Sequence, residues 1–328
     1  MYNHCNTEKR KQMDRIEIHV GKHDDGYSCT EEIFVSLLQW LHSEYQFIFR
    51  DCWMFEYQKN VNISKRLVFD PHIGTNLEYA KQYYGIELIK KNIINNFVDE
   101  VIKLIHRGYV VPLEINGFWC HWLVQYNRKN VEHAIILNGY NEEKEEFECI
   151  DPYYEKEDIK IPLGEVVNGS ICYYCYCLVN LSLRSYKLQD EISNLCENYI
   201  KRDSLTNLKR FQTEVTNSFE EFCNQLSGNY TDSVFYQSID KYRRSRKKFF
   251  YFVKYLKKDN ECDFMDVLLE KSDELRRRWN NLQKYLLKIF ISNTMIDGKQ
   301  HVINYINSIV ENEGKILLFM MKYVGKDI

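Results

Sequence analysis

Three side chains far apart in the chain have the types that covalent acyl chemistry needs: Cys29, His133 and Asp151. Cys29 lies in "KHDDGYSCTEEIFVSLLQWL" (22–41), where the polar turn Asp24-Asp25-Gly26 gives way to an amphipathic run. A thiolate is a far better nucleophile than a thiol, and the positive end of a helix dipole favours the thiolate. Glu31 and Glu32 follow in the first turn and partly offset that effect. On its own, a cysteine at such a position is more often structural. A nucleophile there needs a base.

His133 is the best candidate for that base. It opens the run "HAIILNGY" (133–140), whose alternation puts His133, Ile135 and Leu137 on one face of a strand and Ala134 and Ile136 on the other. An acidic turn, "NEEKEE", leads on to "FECIDP" (147–152). A hairpin centred near Glu142 returns position 151 beside position 133. Asp151 then holds the second imidazole nitrogen and fixes the tautomer, as the third member of a catalytic triad does. The alternative is a surface hairpin whose histidine and aspartate do nothing, and Cys29 is what argues against it.

The elements that would position these residues fall into two patterns. Ile33, Phe34, Leu37, Leu38 and Leu41 fit one helix face from Thr30 to about Leu41, and 79–83 and 92–106 read as further helices, the last closing at Gly108. Short β-rich runs follow at 109–115, 122–126, 133–140, 147–152 and 171–183, punctuated by Asn116-Gly117, Asn138-Gly139 and Asn168-Gly169. Helices first and strands later imply an α+β layer fold rather than alternating βαβ units. From Ser185 onward apolar residues recur at helical spacing, which predicts an all-α domain of five or six helices. Charge changes at the same place: residues 1–184 carry 20 basic and 27 acidic side chains, residues 185–328 carry 24 and 20. Together these predict domains at 1–184 and 185–328.

The 328 residues include 11 cysteines, an odd number with no spacing of the secreted kind. "MYNHCNTEKRKQMDR" has no apolar core, and no run approaches eighteen apolar residues. The expectation is a cytoplasmic protein with reduced thiols, no signal peptide and no membrane span. Cys172, Cys175 and Cys177 lack the second ligand pair that zinc needs, so no metal is expected. They read instead as small, mostly buried side chains of a β run.

A cysteine on a helix start, followed much later by "HAIILNGY" and "IDP", resembles the papain-like peptidases that process double-glycine bacteriocin leaders. Cys29, His133 and Asp151-Pro152 match that group in order, spacing and local context. The segment "LIHRGYVVPLEINGFW" (104–119) resembles the group's Gly-x-Pro-Val strand. The resemblance implies a papain-like cysteine-protease fold, with helices packed on an antiparallel sheet. One departure stands out. The group carries a glutamine six residues before the cysteine, where its amide helps form the oxyanion hole, and this chain has His23. An imidazole N–H also donates to a developing oxyanion, so the resemblance makes His23 the oxyanion-hole candidate. The competing view is a solvent-exposed loop histidine.

The two-part layout is similar to the butirosin-type biosynthetic acyltransferase branch of this group, and to amide-forming enzymes of thioamide-antibiotic assembly. That branch implies transfer of an acyl group from a carrier-protein thioester to an amine. The only prosthetic arm would be the carrier's phosphopantetheine, so the chain itself needs no cofactor. "KYRRSRKKFFYFVKYLKK" (241–258) holds nine basic and no acidic residues. A cationic helix face there, extended by Arg276, Arg277 and Arg278, suits an acidic carrier better than nucleic acid. The bland reading is a solvated helix face. Trp119 and His121, with Trp122, stand just before the histidine strand and are candidates for lining an acyl pocket, with core packing as the alternative. Two further functions share these residues: a peptidase or amidase using water as acceptor, and a non-catalytic protein that binds a small molecule in the same cleft.

Overall fold

The computed structural model describes residues 15–58, 75–179, 185–224, 233–292 and 294–326. The chain forms two compact units, one from Met1–Tyr45 with Tyr84–Leu181 and the other from Gln46–Tyr83 with Ser182–Ile328. The division is therefore interrupted in sequence: residues 46–83 precede the sheet yet belong to the helical unit. The 180–184 stretch at the anticipated boundary and the N-terminal residues 1–14 lie outside the described residues.

The first unit is α+β and papain-like in layout. Its helices are α1 (Cys29–Trp40), the end of α2 (Glu78–Tyr84), α3 (Phe97–His106) and α4 (Leu163–Gly169). Its strands are β1 (Ile86–Asn92), β2 (Val111–Asn116), β3 (Glu132–Asn141), β4 (Glu146–Asp151), β5 (Lys156–Pro162) and β6 (Ser170–Leu178). They form one sheet in the order β1-β6-β2-β3-β4-β5, with every neighbouring pair antiparallel. Phe34 of α1 meets the Tyr174 ring edge-on at 4.9 Å, whereas Phe97 of α3 meets Tyr173 at 6.4 Å. Adjacent residues of a strand point to opposite faces, so α1 and α3 cover opposite sides of the sheet.

Several elements differ from the sequence expectation. The helix anticipated over 92–106 begins only at Phe97; Asn92 ends β1 on the sheet edge, and 93–96 are the turn between them. "WLVQY" (122–126) is not a strand. It is a run of turns in which Leu123 N–H donates to Cys120 O at 2.9 Å and Tyr126 N–H to Leu123 O at 3.1 Å. β5 was not anticipated, because only Ile159 and Ile161 of its seven residues are buried. Along β6, Cys172 is buried, Cys175 half-buried and Cys177 exposed.

The second unit holds most of α2 and, among the described residues, six further helices: α5 (Leu188–Lys201), α6 (Ser204–Asn217), α7 (Phe219–Asn224), α8 (Val234–Asp259), α9 (Asp263–Ile291) and α10 (Met295–Tyr323). The three long ones pack α8 on α9 and α9 on α10. At their centre Arg246 is fully buried against Glu313, its Nε and Nη2 donating to Glu313 Oε1 at 2.9 and 2.7 Å and its Nη1 to Met54 O at 2.9 Å. Tyr199 donates to Glu313 Oε2 at 2.7 Å.

The basic run on α8 is thus not one solvated cationic face: three of its nine basic residues are buried and four half-buried. Arg243, Arg246 and Lys248 are buried, and only Lys254 and Lys258 of the nine are exposed. Arg276 and Arg277 pair with Asp273, and Arg278 with Glu274, all within α9. Removing one partner of a fully buried ion pair strands the other charge, at a cost of about 3–5 kcal/mol. Glu313→Ala is expected to lower unfolding free energy by about that amount in urea titration. A variant as stable as the parent would show that the pair does not hold this unit together.

Candidate active site

The nucleophile candidate is the first residue of α1. Ser28 caps the helix: its Oγ accepts from Glu31 N–H at 3.3 Å, and Glu31 Oε2 accepts from Ser28 N–H at 2.8 Å. This capping box satisfies two of the amide donors that a helix N-terminus leaves unpaired. The preceding turn is closed by Asp24, whose Oδ1 accepts from Gly26 N–H at 2.7 Å. Cys29 is therefore held at a defined point on the positive end of the helix, and it remains half-exposed. α1 packs on β3 and on the short 3-10 turn Pro152–Tyr154, the two elements that carry its partners.

His133 and Asp151 meet, but not by the register anticipated from the turn. β3 and β4 pair Ile136 with Ile150 and Leu137 with Cys149, and the register shifts by one residue between Leu137 and Gly139. The bulged residue, Asn138, is engaged by the N-terminal segment: Ile16 N–H donates to its carbonyl at 2.7 Å, and its side chain donates to Ile16 O at 2.9 Å. Position 151 consequently falls two residues along from position 133. An even offset preserves the face, and a diagonal neighbour remains within side-chain reach. His133 Nε2 lies 2.7 Å from Asp151 Oδ2.

Asp151 is completely buried. Besides His133, it accepts from Trp122 Nε1 on Oδ2 at 2.7 Å and from Tyr154 N–H on Oδ1 at 3.2 Å. With Nε2 on the carboxylate, Nδ1 is the ring nitrogen left for Cys29. Burial by itself would lower the pKa of His133. The bond to Asp151 first, with a smaller contribution from the neighbouring Cys29, outweighs it and raises the value to about 9. The imidazolium is thereby favoured across the neutral range. The buried thiols nearby are the opposite case. Burial, then the field of Asp151 and Glu165, pushes Cys120 up, and burial likewise pushes Cys149 well up, so both stay protonated.

His23 lies in the same unit, with its Nδ1 2.8 Å from Glu32 Oε1 and its ring 4.5 Å from that of Tyr153. The Tyr153 ring is in turn 6.4 Å from that of His133. Trp119 ends the 3-10 turn Gly117–Trp119 and is half-buried against Gly169, at which an added Cβ would come within 3.0 Å of its indole. His121 is exposed and faces Glu165, Nδ1 to Oε2 at 3.8 Å, so it is not joined to the His133–Asp151 pair. Trp122 and Glu32 join the site beyond the sequence expectation, which makes Trp122 a pocket aromatic and Glu32 only a first-turn acid. The positions of their partners depend on folding, and no local signal marks them.

Residues 56–173 match the sequence model of the Peptidase_C39 like family. The matched segment contains His133 and Asp151 and begins after Cys29. No curated protein matches the chain. The similarity is thus to papain-like cysteine peptidases over part of the chain. Together with the antiparallel sheet, the helix-borne cysteine and the His133–Asp151 pair, it points to a papain-like cysteine-dependent enzyme.

Because Asp151 is the larger source of the upward shift on His133, Asp151→Asn is expected to return the imidazole titration, followed by NMR, to well below 9. The sign for stability follows: a raised folded-state value contributes stability below pH 6.5 that is lost as pH climbs through about 9. An unshifted midpoint in Asp151→Asn would show that the carboxylate does not set the charge of the ring.

Proposed function

We propose that the protein is an acyltransferase that moves an acyl group from a carrier-protein thioester, through an acyl-Cys29 intermediate, to an amine, forming an amide in natural-product assembly. The observation that supports acyl transfer is the His133 ring bonded through Nε2 to the buried Asp151, on the strand against which the Cys29 helix packs. His133 already holds the proton as an imidazolium that Asp151 orients and stabilises, and Cys29 Sγ attacks the thioester carbonyl as the thiolate partner of that ring. The oxyanion is held by the Cys29 backbone N–H and His23. Collapse expels the carrier thiolate, which takes the proton from His133. The amine then attacks acyl-Cys29, His133 accepts its proton, and the Cys29 thiolate leaves. Exchange of a thioester for an amide is downhill, so the step needs no ATP, metal or cofactor beyond the carrier's phosphopantetheine arm. The reaction would run in the cytoplasm, where thiols stay reduced. A carrier docking along 241–258 would meet Lys254 and Lys258, the exposed basic residues of that run.

The match to the Peptidase_C39 like family favours a second reading, a peptidase or amidase in which water takes the place of the amine. Intact-protein mass spectrometry after incubation with a panel of carrier-bound and small acyl thioesters separates the two. The proposal expects a mass increase absent from Cys29→Ala that discharges onto an added amine much faster than into buffer. Equal discharge rates with and without amine would establish the hydrolase, and no adduct with any thioester would contradict both.

A further inference from the structure

The oxyanion site departs from the glutamine pattern at His23, and the structure gives that departure a chemical logic. Glu32 stands one turn beyond Cys29 on the same side of α1, so His23, held by Glu32, is tied to the helix that carries the nucleophile. The Glu32 side chain is almost wholly buried, and its Oε1 is pinned by Asp24 N–H at 3.1 Å. The backbone of His23 is pinned too, its N–H donating to Glu155 Oε1 at 2.7 Å. With Nδ1 on Glu32 and one ring face against Tyr153, Nε2 is the ring nitrogen left to address a ligand.

We infer that Glu32 is a positioning residue that keeps a proton on His23 Nε2, so that the His23–Glu32 pair does the work of a glutamine amide at the oxyanion site. A neutral imidazole that donates from Nδ1 to a carboxylate presents a bare Nε2, which repels an oxyanion. Two other forms present an N–H there. One is imidazolium with carboxylate; the other is Nε2–H imidazole accepting from a protonated Glu32. They differ only in where one shared proton sits between Nδ1 and Oε1, and both are neutral overall. Loss of that proton would leave a net negative charge in a buried place already faced by Asp24, Glu155 and the capping-box Glu31, with Tyr45 and Tyr153 as the neighbouring phenols. Burial indeed raises the Glu32 carboxyl, against the hydrogen bonds from Asp24 and His23 that lower it.

The inference rests on the reading of Cys29 as nucleophile and is tested without a carrier. Acylation of the full chain by p-nitrophenyl acetate, measured as a burst absent from Cys29→Ala, requires oxyanion stabilisation. Alkylation of Cys29 by iodoacetamide does not. His23→Ala is expected to slow acylation about 100-fold, the effect of losing one oxyanion donor. Glu32→Gln is expected to slow it about tenfold while leaving alkylation unchanged. In a His23→Gln background, whose amide donates whatever its neighbour, Glu32→Gln is expected to have no further effect. An equal loss in both backgrounds, a parallel fall in alkylation, or no loss at all would each overturn the assignment. If carrier thioesters fail to acylate the chain while this pattern holds, the proposed substrate falls and the pair stands. If no Cys29-dependent burst forms, both fall.

Discussion

One buried carboxylate organises this site. Asp151 has no exposed surface, and its two oxygens take donors from three separate pieces of chain: the His133 ring, the Trp122 indole and the Tyr154 backbone. An ionised carboxylate removed from water is costly unless such donors replace its hydration. Here the replacement is also the positioning. Tyr154 fixes the 3-10 turn that follows Asp151, and Trp122 and His133 share its Oδ2. The raised basicity of His133 is the electrostatic counterpart of that geometry.

The same constraint accounts for features that look unrelated. The bulge at Asn138, stitched by the strand-like contact with Ile16, moves the β3–β4 register by one residue, which the hairpin must absorb before Asp151 can reach His133. The turns over 122–126, which replace an anticipated strand, let Trp122 fold back onto the carboxylate. The second histidine–carboxylate pair, His23 with Glu32, is built from the helix that carries the nucleophile. Two acid–imidazole pairs with different burial and different neighbours can divide the chemistry, one handling the proton and the other the developing negative charge.

Much of this was legible because the signals were local. The run around Cys29 carries its own cap, Ser28 with Glu31, and its own apolar face, so α1 is specified within a dozen residues. His133 and Asp151 flank a turn-rich acidic segment with alternating runs on either side, which is what a hairpin looks like in one dimension. β1 and β5 were not legible: "IELIKKN" and "KEDIKIP" are lysine- and acid-rich edge strands with few buried residues, as edges that avoid aggregation should be. The placement of residues 46–83 with the helical unit, the burial of Arg246 and Lys248 within a basic run, and the roles of Trp122 and Glu32 all depend on partners distant in sequence. Composition reads a basic run as surface, and only the fold reveals Glu313 waiting for Arg246.

The account stands or falls on which thiol carries the acyl group, in a chain with 11 cysteines. The most direct measurement is peptide mapping after a brief exposure to a carrier protein loaded with a radiolabelled acyl group, done on the parent chain and on His133→Ala. The account expects label on the peptide containing Cys29 in the parent and almost none in the variant. Label on another cysteine, or label on Cys29 that forms as fast without His133, would contradict it.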